Sequence, residues 1–290
     1  MTATANPAQG TWPVGTVPFA TKYGVLNNLS TSSPRGTVFD PYTSPDALFI
    51  NNEQGVWYDP SDFSTMWQDA AATTPVTAVE QPVGKILDKS GRGNHATQAT
   101  SASRPILRQD ANGKYYLFFD GIDDSLATAA INFTSTDKMT VFAGIRKLSD
   151  AALGMVVELS ADVNTNNGSF YLLAPRSNGT ASTAFLSKGT VGANANADLF
   201  AAPVTGVLTC TSTITPALAL HRRNGGQVAI NAAAQGTGNY GNYPLFVGRR
   251  GGASMPFNGH LYSLIVRGAQ STDAQIAAAE SFVNSRTGAY

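Results

Sequence analysis

The residues best suited to chemistry gather in two polar turns, Asp88–His95 and Asp120–Asp124. Asp88, Asn94, Asp123 and Asp124 could offer oxygens to calcium, which takes about six to eight oxygen ligands. Their spacing matches no dedicated calcium loop. Asp123 and Asp124, if on a strand, would point to opposite faces. Zinc is less favoured than calcium, because Cys210 and the histidines 95, 221 and 260 form no ligand-spaced pair. Glycoside hydrolysis needs two carboxyl groups about 5–10 Å apart. The only glutamates are Glu53, Glu80, Glu158 and Glu280, and none sits in a Glu-x-Asp-x-x-Glu pattern. Glu158 and Asp162 are four positions apart, but residues 160–164 read as a turn. No Gly-x-Ser-x-Gly elbow supports a nucleophile. Gly236-x-Gly238 leads into a loop, without the helix that would bind phosphate. No catalytic residues are expected. What remains is glycan binding by Asn239, Tyr240, Asn242 and Tyr243, with the Asn164–Gly168 loop as a second stretch of similar composition.

The elements that would position these residues are mostly strands. Lys+Arg 19 against Asp+Glu 19 leaves no net charge, and 13% charged residues is a poor footprint for nucleic acid. No apolar run reaches the ~18 residues of a membrane helix, so membrane insertion is not expected. Residues 1–20 lack the pattern of a secretory signal, which implies synthesis in a cytoplasm. The lone Cys210 allows no internal disulfide and, in GVLTCTSTI, reads as a small buried hydrophobe.

Residues 1–45 carry Pro7, Pro13, Pro18, Pro34, Pro41 and Pro45, a density that forbids a helix and spoils central strands. They are expected to form an extended anchoring arm with Trp12, Phe19 and Tyr23 as its apolar contacts. Whether it wraps its own domain or grips a neighbouring subunit stays open. Residues 46–290 are expected to form one domain. ALFI is a strand candidate, Ser64–Asp69 could be one helical turn, and residues 70–83 read as a surface excursion. Trp57, Tyr58, Phe63, Met66 and Trp67 should seal one end of the core. From residue 84 onward short period-two runs alternate with turn signals, the pattern of an all-β sandwich or barrel. Asn224-Gly225 marks a hairpin. The period then changes: Thr272 with Gln275 fits a capping box, Ile276, Ala279 and Val283 form a stripe, and Gly288 can end an amphipathic helix over 272–287.

LDKSGRGNHATQ (87–98), YYLFFDGIDDSLAT (115–128) and the stretch from Phe257 to Gly288 resemble laminin-G-like, concanavalin A-type jelly-roll domains. The shared positions are Asp88, Ser90, Gly91, Gly93 and Asn94, then Leu117, Phe119, Asp120, Gly121, Asp123 and Asp124, then Phe257 and Gly259. The resemblance covers residues 84–288 and implies an antiparallel jelly-roll sandwich. Gly91 and Gly93 would allow a turn where side chains clash. Asp88 and Asn94 would bind backbone N–H groups within the loop. With GVWYDPSD upstream and Arg-Thr-Gly at the end, the chain looks most like virion proteins of tailed bacteriophages. That implies a non-enzymatic structural or adhesion protein, such as a tail fibre or tail appendage displaying the sandwich to host-surface polysaccharide. Its implied partners are other virion proteins and copies of itself, as a trimer, and its implied location is the virion. The alternatives are a capsid-decoration or head-fibre protein, a free carbohydrate-binding module, or a glycanase. No cofactor is expected other than calcium.

Overall fold

The computed structural model describes residues 44–290; the arm residues Trp12, Phe19 and Tyr23 lie outside them. Short apolar-rich runs form strands β1 (Gly55–Tyr58), β2 (Met66–Trp67), β3 (Lys85–Ile86), β4 (Ala96–Thr97), β5 (Ile106–Gln109) and β6 (Tyr115–Asp120). These are followed by β7 (Leu126–Asn132), β8 (Lys138–Lys147), β9 (Met155–Leu159), β10 (Ser169–Leu173), β11 (Thr183–Lys188) and β12 (Gly192–Ala197). The series ends with β13 (Val204–Thr213), β14 (Leu218–Arg223), β15 (Gly226–Asn231), β16 (Asn242–Val247) and β17 (Asn258–Arg267), then helix α1 (Asp273–Thr287).

Two antiparallel sheets result. The back sheet runs β15-β14-β13-β8-β17-β6-β5, with β1 also on β17. The front sheet runs β12-β11-β10-β9-β16-β7-β4-β3-β2. Their inner faces enclose the main core, which includes Phe119, Val141, Phe170, Phe185, Cys210, Leu245 and Leu264. The intervening residues Phe142, Val207 and Ile265 point the other way and meet Ile276, Ala279 and Val283 of α1. The helix therefore covers part of the outer face of the back sheet. The Thr272 side chain accepts from the Gln275 N–H, the Gln275 side chain accepts from the Thr272 N–H, and Gly288 ends the helix at φ 61°.

Several local expectations are corrected. ALFI lies in a 3-10 helix, Pro45–Phe49, because Pro45 presets the first helical position and both Leu48 and Phe49 are buried. The expected helical turn at Ser64–Asp69 is a 3-10 turn, Phe63–Thr65, that hands over directly to β2. Residues 70–83 are more than a surface excursion. Val76 and Val83 enter the core, and the Val76 N–H donates to Met66 O at 3.0 Å. Trp57 packs beneath α1 against Phe282, with ring centroids 5.6 Å apart, while its neighbour Tyr58 faces the main core. Strand β12 was not expected, because Ala and Asn have low strand preference; buried Ala193, Ala195 and Ala197 make it. Asn224 (φ 50°) and Gly225 (φ 78°) form the expected hairpin turn.

Candidate functional site

Asp88 is engaged as a structural acceptor. Its Oδ1 accepts from the Trp57 N–H at 2.9 Å and the Ser90 N–H at 2.8 Å. Its Oδ2 accepts from the Ser90 hydroxyl at 2.7 Å and the Asn94 N–H at 3.0 Å. Asn94 Nδ2 in turn donates to Gly55 O at 2.7 Å, and the Tyr58 hydroxyl donates to Asn94 O at 2.6 Å. The loop is thus sewn to β1, and both Asp88 carboxylate oxygens are engaged within the protein. Asp88 and Asn94 form a fold knot, and the acidic cluster among the described residues is Asp120, Asp123 and Asp124. Gly91 (φ 80°) and Gly93 (φ 76°) have open space where a Cβ would stand, so positive φ and not crowding selects glycine here.

Asp123 and Asp124 lie in a turn and not on a strand, so they do not diverge as expected. Together with Asp120, which the sequence reading left out as a ligand, they place carboxylate oxygens within 4.8 Å of one another. Asp124 accepts from the Asp120 N–H at 3.0 Å, and Asp123 accepts from the Ser103 hydroxyl at 2.8 Å. Burial, reinforced by the charges of Asp120 and Asp123, pushes the Asp124 carboxyl up to about 6.

The expected glycan-binding loop divides between core and surface. Tyr240 is 1% exposed, and its hydroxyl lies 2.6 Å from Ser187 Oγ and 2.5 Å from Ser212 Oγ. It is corrected from a surface aromatic to a core residue, because those serines from β11 and β13 satisfy its polar end within the sandwich. Asn242 is exposed at the start of β16, while Tyr243 is half-buried against the core. Asn239 is exposed and donates to Thr134 O at 2.7 Å. The two candidate loops do come together, joined by a bond from the Gly241 N–H to Gly168 O at 2.7 Å.

An open groove lies on the outer face of the front sheet. Register sets Asn194, Leu186, Tyr171, Glu158 and Phe246 in one row across β12, β11, β10, β9 and β16. A second row holds Asn196, Ala184, Leu173 and Met155. Between the rows and the loop after β10 opens a groove of about 250 Å³. Leu173 and Ala184 give it an apolar floor, Tyr171, Asn194 and Asn196 a hydrogen-bonding side, and Arg176 and Ser177 a loop wall. The Tyr171 hydroxyl donates to Asn194 Oδ1 at 2.8 Å, and burial raises its pKa. Arg176 Nη2 lies 3.0 Å from Asp198 Oδ1, a pair at the groove rim.

The wall is held firmly. Asp150 pairs with the fully buried Lys147, its backbone O accepts from the Gly179 N–H at 2.7 Å, and its Oδ2 accepts from the Ala202 N–H at 2.8 Å. Burial lowers the Lys147 pKa while Asp150 opposes that shift. Beside Tyr171, the fully buried Glu158 accepts from the Val163 N–H at 2.8 Å and from Arg250 Nε at 2.9 Å. Burial raises the Glu158 pKa against both partners. Asp162 sits 3.6 Å from Arg250 Nη1, so the arginine stands between the two carboxylates considered for hydrolysis. Both Glu158 oxygens are occupied, and neither is presented to a sugar.

The sequence reading missed this groove. The available signal was the alternation in GANANA, which puts Asn194 and Asn196 opposite the buried alanines, and Tyr171 between buried Phe170 and Leu172.

No protein-family model matches the chain, and no curated protein sequence does. Solved structures do. The binding domain of botulinum neurotoxin serotype D superposes with a TM-score of 0.55 at 9% identity, covering 80% of this chain and 52% of that one. A structure of botulinum neurotoxin type C gives 0.54 at 10% identity over 80% and 52%. The binding domain of Paraclostridial Mosquitocidal Protein 1 gives 0.53 at 13% identity over 71% and 51%. The fold is an antiparallel jelly-roll β-sandwich. This chain spans about half the length of each of those structures. At such identities the likeness carries the fold and not the activity.

Proposed function

We propose that this chain is a non-catalytic carbohydrate-binding β-sandwich that receives a sugar in the front-sheet groove. The observation that carries the proposal is the groove itself. It sets a half-buried tyrosine and two asparagine amides over an apolar floor of Leu173 and Ala184. A sugar ring presents C–H faces and hydroxyls together, and a concave site with apolar area and a few fixed polar groups suits both. The sequestered Glu158 supports a binding role, since a glycanase acid must reach the glycosidic oxygen. Among the fold neighbours, cell entry of botulinum neurotoxin type C is described as dependent on interaction with two ganglioside molecules. A glycan array with the full chain tests the proposal, followed by titration of Tyr171→Ala against the best ligand. Loss of the aromatic should weaken binding by about tenfold, or ~1.4 kcal/mol. Undiminished binding by a folded Tyr171→Ala protein would place the sugar elsewhere.

The finer setting of the proposal is a tail fibre or tail appendage of a tailed bacteriophage. There the sandwich is displayed as a trimer, with residues 1–45 as the anchor. This setting is supported by the resemblance in Asp88–Asn94 and Leu117–Asp124. Deleting residues 1–43 should leave a folded sandwich that no longer joins particles. A truncated chain that still assembles rules out the anchoring role.

A further inference from the structure

We infer that the sugar residue held in the front-sheet groove is an acidic one, with its anionic group received by Arg176. The inference rests on the binding role proposed above and adds the chemical class of the ligand. Of the side chains lining the groove, Arg176 is the charged one; the others are apolar, hydroxylic or amide. The nearby Arg250 is bound by Glu158 at 2.9 Å and faces Asp162 at 3.6 Å, so it offers no free cation. Arg176 is therefore the one cation among the side chains that line the groove. A guanidinium suits a carboxylate or sulfate because its planar donors match two oxygens at once.

Arg176 is also available. Its side-chain partner among the described residues is Asp198, whose side chain is 67% exposed. An exposed pair of this kind contributes little, so a ligand anion can displace Asp198 at small cost. The backbone around Arg176 is fixed independently of its guanidinium. The Arg176 N–H donates to Ser182 Oγ at 3.4 Å, and the loop is held by Asp150 and by the bond from the Leu153 N–H to Asn178 Oδ1 at 2.9 Å. Substituting the side chain therefore leaves the groove wall standing. Asp198 acts here as a resident competitor that occupies the cation until an acidic sugar arrives.

The experiment is calorimetric titration with carboxylated and sulfated oligosaccharides, each beside its neutral parent. The full chain should prefer the acidic member of a pair by roughly tenfold at low salt and lose that preference at high salt. Arg176→Gln should abolish the preference, so that the acidic and neutral members of a pair bind with equal affinity. Asp198→Asn should raise affinity for the acidic member by roughly threefold, since the competitor is gone. The carboxylate and sulfate arms decide which anion is meant. Equal affinity for acidic and neutral members, or a preference that survives Arg176→Gln, overturns the inference while the binding role stands. A chain that binds no glycan overturns both.

Discussion

His221 makes the stability of the sandwich depend on pH in a way that can be calculated. It lies on β14, fully buried, paired in register with Cys210. Its Nδ1 is 3.4 Å from Ala195 O on β12, and its Nε2 has no partner among the described residues. Burial is the main cause that lowers its pKa from 6.5 to about 4. The folded state therefore holds the ring neutral where the unfolded chain protonates it. Stability from this group is complete above the unfolded pKa and is lost as pH falls from about 6.5 to 4. Acidification from pH 7 to pH 5 costs about 2 kcal/mol through this residue alone, or about 4–8 °C in midpoint. His221→Leu keeps the site apolar and removes an unpaired nitrogen, so at pH 7 it should match or slightly exceed the parent. Urea unfolding at both pH values should show the variant losing about 2 kcal/mol less than the parent. His260, whose pKa burial lowers to about 4, contributes with the same sign in both proteins and cancels in the difference. Equal losses on acidification by parent and variant would refute the assignment.

Two further outcomes follow from the described contacts. Asp88→Ala strands the N–H groups of Trp57, Ser90 and Asn94 and the Ser90 hydroxyl. It should cost about 3 kcal/mol in denaturant unfolding, and added calcium should leave that loss unchanged. Tyr240→Phe leaves Ser187 and Ser212 without their shared partner. It should lower stability by about 1–2 kcal/mol while glycan titrations remain as in the parent.

What the sequence disclosed was what depends on neighbours in the chain. Thr272, Gln275 and Gly288 specify a helix from within their own turns, and the capping box appears as expected. The Asp88 loop was legible as a turn for the same reason, although not as a knot, because its tie to Trp57 crosses 31 positions. Tyr240 was misplaced because a tyrosine among asparagines and glycines reads as surface until Ser187 and Ser212 arrive from distant strands. The groove was invisible for a related reason. Tyr171, Asn194 and Arg176 belong to two strands and a loop, and only the register between β10, β11 and β12 aligns them. ALFI misled because four apolar residues are too few for either period to declare itself.

The position of β17 has a consequence for how the chain must be made. It lies inside the back sheet, with β8 on one side and both β6 and β1 on the other. Its residues, Asn258–Arg267, follow every other strand of both sheets in chain order. Strand β1 therefore waits about 200 residues for its sheet partner, and the back sheet cannot close until β17 has emerged. Strands β9 to β12 differ: β10 pairs with β9, β11 with β10 and β12 with β11, each pair a local hairpin. The strands that carry the groove can pair as they emerge, while the scaffold beneath them waits for β17.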